Sequence, residues 1–536
     1  MRRSGLFLAV LLTACGGSST LPDGGTSSHP DGGNPGAQPT VTSFNASPAT
    51  IASGASATLS WSVSGATSLS LSPGGAVTGT SVQVQPTQTT DYTLTATNAA
   101  GQVSAHTTVT VSTVPAQVAL FPEIYVNGHA PVLLADPGGT LHLVYSATTT
   151  PNAGGSDYPV RYGECAADCT REASWHFVSL GDAGLFGGHA RLALDPAGHP
   201  RVVYMSAPNL SDPTTLVFAR CDAGCTQAAN WSAGVALTGD SSLGNGIRDS
   251  RYFALDPSGK PRLFVTSTAG TTYATCEGDC TQTVNWHALG MFGSGSLERG
   301  FSLAFGADGL PRVAFTSGDL GTGCTPGSNT LIYMACSGAC DTLTGTNWFY
   351  LPMFCQGDSD DYDLALDPAT GHPRLALYDD YTGNGAVPSD LTYAFCDADC
   401  TTALGSWTQA GLGLGGHQGE GGVALALTAQ GEPRIAYDQY DDGLGYAVCT
   451  GGCATTHQSW SAQTVESTDT MAATDPPPAP TGCSTNPQSY WYPGGKPQLW
   501  LDPAGAPSFA YEVYNLQSCN GGSPTHGPEL VRFAQP

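Results

Sequence analysis

The sequence predicts an all-β chain in which a small N-terminal β-sandwich is followed by a seven-bladed β-propeller. One stretch, Leu192-Ala-Leu-Asp-Pro-Ala-Gly-His-Pro-Arg-Val-Val-Tyr204, indicates two short strands around an Asp-Pro and Gly turn. Equivalent turn positions lie 50 to 74 residues apart, which leaves room for four short strands in each copy. That period is typical of a propeller. The six other copies of the stretch begin at Leu133, Phe253, Leu303, Leu364, Leu425 and Leu499.

The two ends of the propeller are expected to meet in its last blade. After residues 499–502 and 508–513, the seventh copy has only residues 529–534 left for a strand, one strand short of four. Residues 117–121 resemble the fourth-strand ending of the second copy at residues 234–237. We therefore expect residues 117–121 to form the outer strand of the seventh blade, because a closed ring leaves no open sheet edge. Residues 116–536 are assigned to the propeller.

The segment before the propeller predicts the sandwich. Between residues 41 and 113, alternating runs such as Thr58-Leu-Ser-Trp-Ser-Val63 are separated by Gly, Pro, Asn and Ser. About seven such strands in this length are typical of a β-sandwich. The pattern resembles the Ig-like domains of bacterial surface proteins, with Trp61 in the place of the core tryptophan, although the immunoglobulin cysteine pair is absent. We expect a spacer rather than the binding module.

The first residues indicate export. A basic start precedes an apolar run at residues 6–12 that is too short to span a bilayer as a mature helix. Leu12-Thr13-Ala14-Cys15 resembles the lipobox of bacterial lipoproteins. The resemblance implies that residues 1–14 are a signal peptide, that Cys15 is lipidated, and that the protein lies at the outer membrane or cell surface. Residues 15–40 are rich in Gly, Ser and Pro and are expected to form a flexible linker.

The charge balance restricts the partners. The chain has 17 basic and 43 acidic residues, a net charge of −26. Nucleic acid is excluded as a partner, because its binding needs a basic surface. The membrane is expected to be contacted through the lipid anchor only.

Six copies carry a Cys-x-x-x-Cys clip followed by Trp, between the third and fourth strands. Zinc ligation is one interpretation, but a tetrahedral site needs four ligands and the clips should be spread around the rim. Export favours disulfides. Two further pairs are expected because their loops open on one face. The expected disulfides are Cys165–Cys169, Cys221–Cys225, Cys276–Cys280, Cys336–Cys340, Cys396–Cys400, Cys449–Cys453, Cys324–Cys355 and Cys483–Cys519.

The clips also carry a resemblance. Cys221-Asp-Ala-Gly-Cys-Thr226 with Trp231 is similar to the Asp-box turn of sialidase-like propellers. The resemblance implies a structural role for the turn. The sequence shows neither an Arg-Ile-Pro motif near the propeller start nor an arginine triad, so sialidase activity is not carried over.

Candidate functional residues lie in the loops expected on the face opposite the clips, around the axial funnel. Their carboxylates, imidazoles and aromatic rings suit acid–base work, metal binding and sugar stacking. The simpler interpretation is that these loops are polar because they are solvated. The catalytic candidates are His129, His189, Asp360 and Glu420. The ligand-binding candidates are Arg251, Arg299, Asp363, His417, Tyr490, Trp491 and Tyr492. The metal candidates are Asp358, Asp360 and Asp361, with Ca²⁺ as the ion, although the spacing is not that of an EF-hand.

These residues and patterns are compatible with three functions. The leading one is a surface-anchored recognition lipoprotein that binds a glycan or protein ligand at the funnel mouth. The second is a carbohydrate-active enzyme, a glycoside hydrolase or lyase, that uses His and carboxylate side chains of the same face. The third is a structural protein of the envelope.

Overall fold

The computed structural model describes most of the chain from residue 37 to residue 535. The described residues are 37–47, 50–52, 57–86, 88–112, 116–124, 131–146, 159–184, 188–207, 213–239, 242–243, 251–294, 298–318, 320, 329–342, 347–356, 362–379, 390–414, 422–439, 443–449, 452–453, 460–480, 483, 486–519 and 525–535. They divide into two compact units with the boundary between residues 110 and 111, and Ala52 groups with the second unit.

The first unit consists of two sheets, ordered β1-β3-β6 and β2-β8-β7-β4-β5, and its pairs β1·β3, β3·β6, β4·β5, β4·β7 and β7·β8 are antiparallel. In β3 the burial alternates along the strand, with Leu59 and Trp61 buried between exposed neighbours, as a strand with one buried face requires. The Trp61 indole donates a 3.0 Å hydrogen bond to the Gly79 carbonyl, and its ring packs edge-on against Phe44. The strands are β1 (Thr40–Ser47), β2 (Thr50–Ala52), β3 (Ala57–Ser64), β4 (Ser68–Ser72), β5 (Gly75–Val77), β6 (Ser81–Val84), β7 (Thr90–Asn98) and β8 (Gly101–Ser112).

The second unit is propeller-like. It begins with β9 (Ala116–Ile124), and six four-stranded antiparallel sheets then follow in chain order, each with its strands in sequence order. Their strands are β10 (Val132–Ala135), β11 (Leu141–Ser146), β12 (Pro159–Cys165) and β13 (His176–Asp182); β14 (Gly188–Leu194), β15 (Pro200–Ser206), β16 (Thr215–Arg220) and β17 (Ser232–Thr238); β18 (Phe253–Leu255), β19 (Pro261–Ser267), β20 (Gly270–Cys276) and β21 (Trp286–Phe292); β22 (Arg299–Phe305), β23 (Pro311–Ser317), β24 (Asn329–Cys336) and β25 (Trp348–Gln356); β26 (Tyr362–Leu366), β27 (Pro373–Asp379), β28 (Asp390–Cys396) and β29 (Trp407–Gly411); β30 (Val423–Leu427), β31 (Pro433–Asp438), β32 (Leu444–Cys449) and β33 (Trp460–Glu466).

A seventh sheet combines both ends of the unit. Its order is β34-β35-β37-β9, with β36 beside β35. The N-terminal strand β9 pairs antiparallel with β37, Ala119 opposite Arg532. The elements of this region are α1 (Thr468–Thr474), β34 (Pro487–Leu501), β35 (Pro507–Cys519), β36 (Thr525–His526) and β37 (Pro528–Gln535). No helix in the described part of the chain is long and apolar enough to cross a membrane.

Consecutive sheets pack face to face through a repeated aromatic contact. The tryptophan after each clip packs edge-on against an aromatic residue of the third strand in the preceding sheet, as Trp286 does against Phe218 at 5.9 Å. In the first sheet, Trp175 makes this contact with Phe533 of the seventh sheet. The first strands also contact one another in order from β10 to β34, and β34 contacts β10. The apolar core of the unit therefore lies between the sheets.

The clips are disulfides. All six predicted Cys-x-x-x-Cys bridges are present, and so is Cys483–Cys519. In every clip the tryptophan indole donates a hydrogen bond to the carbonyl of the second cysteine, at 2.8 to 3.1 Å. The predicted Cys324–Cys355 pair involves Cys324, which lies outside the described residues.

Candidate functional site

The beginnings of the first strands lie at the end of the sheets opposite the clips. Each first strand runs into an Asp-Pro-Gly type of turn, and the clips occupy the same end as those turns because neighbouring strands are antiparallel. We call the opposite end, around the first strands, the mouth. Of the predicted site residues, His189, Arg251, Arg299 and Asp363 lie there, at or next to the starts of β14, β18, β22 and β26.

A buried ion pair joins four sheets at the mouth. Arg251 Nη1 lies 2.7 Å from Asp363 Oδ2, and the side chain of Asp363 is 2% exposed while that of Arg251 is 33% exposed. The same carboxylate accepts hydrogen bonds from the Ser302 hydroxyl and from the Leu425 amide, at 3.1 and 2.7 Å. Burial raises the pKa of Asp363 above its ordinary value, although Arg251 and the hydrogen bonds oppose that rise. The pair therefore fixes Arg251 in place, while a third of its side chain is exposed.

Further contacts connect the other two candidates to this pair. The Tyr252 hydroxyl donates to the carbonyl of His189 at 2.8 Å, and the Tyr362 hydroxyl donates to the carbonyl of Arg299 at 3.0 Å. Tyr252 directly follows Arg251 in the chain, and Tyr362 directly precedes Asp363. The tyrosines thus hold the backbones of His189 and Arg299 beside the ion pair.

His189 has an unusual backbone. Its φ is +50°, a left-handed conformation that residues with a Cβ rarely adopt. Such conformations cost free energy and persist mostly where the surrounding structure imposes them, often at functional sites. Lys496, at the same end of the seventh sheet, has a φ of +46°.

The seventh sheet extends beyond the mouth as a two-stranded ribbon. Residues 487–495 of β34 pair with residues 512–519 of β35, and Cys483–Cys519 closes the far end. Tyr490 is 49% exposed on this ribbon, about 20 Å along the strand from Lys496. Trp491 is buried, and its indole donates to the carbonyl of Asp475 just after α1 at 2.7 Å. Tyr492 is partly buried on the same strand.

A buried charge network supports the ribbon at its base. Arg532 donates to Glu466 and Asp475, each at 3.0 Å, and the Tyr511 hydroxyl donates to Glu466 at 2.6 Å. Burial raises the pKa of Glu466 above its ordinary value, against the opposing effect of Arg532. Because the network joins the sixth sheet, the end of α1 and the seventh sheet, it positions the ribbon.

Several predicted site residues lie outside the described residues. They are Cys15, His129, Asp358, Asp360, Asp361, His417 and Glu420. Their roles, and Ca²⁺ as an ion for the three aspartates, stay predictions.

A set of arginines at the clip end, which we call the arginine brace, was not predicted from the sequence. In the second sheet, Arg201 Nη2 donates to Asp195 of the turn and to Asp222 of the clip, both at 2.8 Å, and its Nη1 donates to the carbonyl of Cys221. The brace therefore ties turn to clip. The signal was the recurring Pro-Arg pair of the repeat, in which the arginine pairs with a carboxylate of the preceding turn. The equivalent arginines of the next four sheets are Arg262, Arg312, Arg374 and Arg434.

Comparison with known proteins gives likenesses of fold alone. No family model matches the chain, and no curated protein matches it. A mutant of the NanB sialidase from Streptococcus pneumoniae is 9% identical, with a TM-score of 0.40 and coverage of 63% of this chain and 72% of that one. An α-L-arabinanase from Penicillium chrysogenum is 10% identical, with a TM-score of 0.41 and coverage of 79% and 99%. An ulvan lyase of family PL25 is 10% identical, with a TM-score of 0.45 and coverage of 78% and 95%. We transfer no activity from likenesses at this level.

Proposed function

We propose that this protein is an exported lipoprotein, anchored through Cys15 at the outer membrane or cell surface, that binds a glycan or protein ligand at the mouth of its second unit. The lipobox and the linker at residues 15–40 support the anchor. The two-sheet first unit, with Trp61 in its core, supports an Ig-like spacer between the anchor and the binding unit.

The second unit, in this proposal, is a closed seven-bladed propeller. Three observations support closure: β9 completes the last sheet, β34 contacts β10, and Trp175 continues the repeated aromatic contact onto Phe533. Closure leaves no free edge at the ends of the unit. It also places all the first strands around one axis, so that the mouth is a single concave site.

The observation that carries the binding function is the Arg251–Asp363 pair. Asp363 is held by groups from three neighbouring sheets, so the guanidinium it fixes is rigid before any ligand arrives. A cation already held in place loses little side-chain freedom on binding, which favours affinity. The guanidinium of this partly exposed side chain can donate to hydroxyl or carboxylate oxygens, the groups that glycans and acidic peptides present. Tyr490 offers an exposed ring against which a sugar can stack.

The described carboxylates of the mouth suit this function better than catalysis. Asp363 accepts hydrogen bonds from Arg251, Ser302 and Leu425, and Glu298 is fully buried and accepts from Thr271 at 2.7 Å. A general acid or nucleophile must reach the substrate. These two carboxylates instead hold the walls of the mouth together.

Binding to a glycan panel by matched variants tests the proposal. Arg251→Lys keeps a cation beside Asp363 but loses the guanidinium fork. Arg262→Lys makes the same change at the clip end of the same sheet, where Arg262 also pairs with carboxylates. We expect Arg251→Lys to weaken binding by about tenfold, because a hydrogen bond to a charged group contributes roughly 1.5 to 3 kcal/mol.

The same panel needs a second matched pair for the ribbon. Tyr490→Ala should also weaken glycan binding, whereas Tyr350→Ala, an equally exposed tyrosine of the outer strand β25, should not. Two results would place the site away from the mouth. In the first, all four variants bind the glycans as well as the unaltered chain does. In the second, only Arg262→Lys and Tyr350→Ala lose glycan binding.

A carbohydrate-active enzyme is the second candidate, and the left-handed backbone of His189 favours it. If the protein cleaves a glycan of the panel, products will appear on incubation with the unaltered chain. His189→Ala, and Ala variants at His129, Asp360 and Glu420, should then abolish product formation. Binding without products favours recognition.

A further inference from the structure

The first sheet departs from the arginine brace. Five sheets carry an arginine at the second residue of the second strand, but the first sheet has His142 at that position, opposite Leu134 in the pairing of β10 with β11. The clip acid that Arg201 contacts in the second sheet, Asp222, is replaced by Ala166. The turn aspartate remains as Asp136. The first sheet therefore keeps the anionic partner of the brace without its guanidinium.

His142 is buried at 3% exposure and is held by a short relay. Its Nδ1 lies 2.5 Å from the Tyr162 hydroxyl, which donates to Glu164 Oε1 at 2.8 Å. The Tyr162 hydroxyl has one proton, which its hydrogen bond to the Glu164 carboxylate uses, so the hydroxyl accepts a hydrogen bond from Nδ1–H of His142. The Nδ1–H tautomer leaves Nε2 with its lone pair directed outward.

That lone pair faces a carboxylate. His142 Nε2 lies 3.6 Å from Asp136 Oδ2, and Nε2 is buried without a hydrogen-bond partner. The Asp136 side chain is 24% exposed and that of His142 is 4% exposed. Two electron-rich atoms this close inside a protein repel each other unless a positive group lies between them.

The distance decides which positive group fits. A direct N–H···O bond from an imidazolium would bring the two atoms to about 2.7 to 3.2 Å. A bridging water would separate them by about 4.4 Å, from two bonds of about 2.8 Å each. Two ligands of a tetrahedral zinc ion, at about 2.0 to 2.1 Å from the metal, lie about 3.4 Å apart. The observed 3.6 Å is nearest to the metal geometry.

We infer that Asp136 and His142 form a divalent-cation site that takes Zn²⁺, with water completing the coordination. Tyr162 and Glu164 form the outer shell that fixes the tautomer and orientation of the imidazole, as outer-shell groups of metal sites commonly do. The ion occupies the place where the other sheets put a guanidinium. It ties the turn of the first sheet to the second strand β11, and the relay through Tyr162 continues to the third strand β12.

Zinc titration of the full chain by calorimetry tests the inference, with Zn²⁺ alone as the probe. Asp136→Asn keeps Oδ1, which accepts from the Thr140 amide, and removes the ligating charge. His142→Arg introduces the residue that five other sheets accommodate at this position. We expect both changes to weaken zinc binding by about tenfold or more, and Tyr162→Phe to weaken it by a similar factor.

The control is His199→Ala in the second sheet. Asp195, His199 and Asp222 also come within ligating distance of one another, but Arg201 already donates to both carboxylates there. The site is supported if zinc affinity is unchanged in His199→Ala and weakened in Asp136→Asn. If His142→Arg fails to fold, the zinc affinity of Asp136→Asn alone tests the site. Three outcomes overturn the inferred site: no zinc binding to the unaltered chain, equal zinc affinity in Asp136→Asn and the unaltered chain, or loss of zinc affinity in His199→Ala alone.

Discussion

At the residue scale, the arginine brace explains how short turns and clips are held in register. Asp256 accepts hydrogen bonds from the Ser258 and Lys260 amides, and Arg262 pairs with both Asp256 and Glu277. Each sheet is narrow, so one charged side chain can join its first, second and third strands. Partly buried, hydrogen-bonded pairs of this kind are worth more than exposed ones.

The brace should make the second unit acid-sensitive. Burial raises the pKa of Asp256, but hydrogen bonds from Ser258 and Lys260 and the charge of Arg262 outweigh burial and bring the pKa below its ordinary value. Stability from such a group is present above the unfolded pKa of about 3.9 and is lost as pH falls through the lower folded value. The measurement is thermal unfolding of both chains between pH 6 and pH 2.5. At pH 6 we expect the Asp256→Asn variant to have a lower Tm than the unaltered chain. As the pH falls to 2.5, the Tm of the unaltered chain should approach that of the variant.

Asp502→Asn is the matched control for that measurement. Asp502 accepts from the amides of Ala504 and Ala506 as Asp256 accepts from those of Ser258 and Lys260, but Ser508 stands where Asp256 faces Arg262. Asp502→Asn should therefore lower the Tm less than Asp256→Asn does across the pH range. A constant Tm difference between Asp256→Asn and the unaltered chain at every pH would show that the carboxylate charge is unimportant.

At the element scale, the clip organises the contact between sheets. The disulfide of each clip closes a short turn, and a 3-10 turn or loop then leads the chain into the fourth strand. The tryptophan is fixed by its hydrogen bond to the carbonyl of the second cysteine. The Thr283 hydroxyl of the third clip also donates to the Val235 carbonyl of the second sheet at 2.6 Å. Each clip therefore contributes to packing on the preceding sheet as well as to its own turn.

Removing one clip disulfide should destabilise the second unit modestly. For Cys276→Ala with Cys280→Ala, the chain-entropy model gives a loss of about 2 kcal/mol for a loop this short. We expect the double variant to unfold at a lower urea concentration than the unaltered chain, while the far-UV circular dichroism of the native state is unchanged. Val284→Ala, at an 84% exposed position of the same clip, is the control and should leave the midpoint in place. An unchanged midpoint in the double variant would mean that the tryptophan contacts alone fix the clip.

At the scale of the whole molecule, periodic features could be predicted from the sequence and singular ones could not. The Asp-Pro-Gly turns and the cysteine spacing recur, and in the second copy they predict strands at residues 201–205 and 216–220, within one residue of the observed bounds of β15 and β16. The ribbon was missed, because the predicted strand at 499–502 gave no sign that pairing continues back to Pro487. Helix α1, with Ser467 and Thr470 as its capping box, is the one α-helix among the described residues and was also missed.

The site was harder to predict for the same reason. The sequence indicated Arg251 and Asp363 as separate ligand-binding candidates, but it could not show that they pair, since they are 112 positions apart in the chain. Nor could it show that Trp491 is buried against residues that follow α1. Long-range pairings depend on how the sheets are arranged around the axis, and no local pattern encodes them.

Hydrogen–deuterium exchange with the tightest-binding glycan of the panel shows whether the ligand binds at the mouth. We expect slower amide exchange in peptides covering residues 186–192, 249–253, 297–301 and 358–364, with the clip peptides unchanged. Slower exchange confined to the clips at residues 165–175, 221–231 and 276–286 would contradict it.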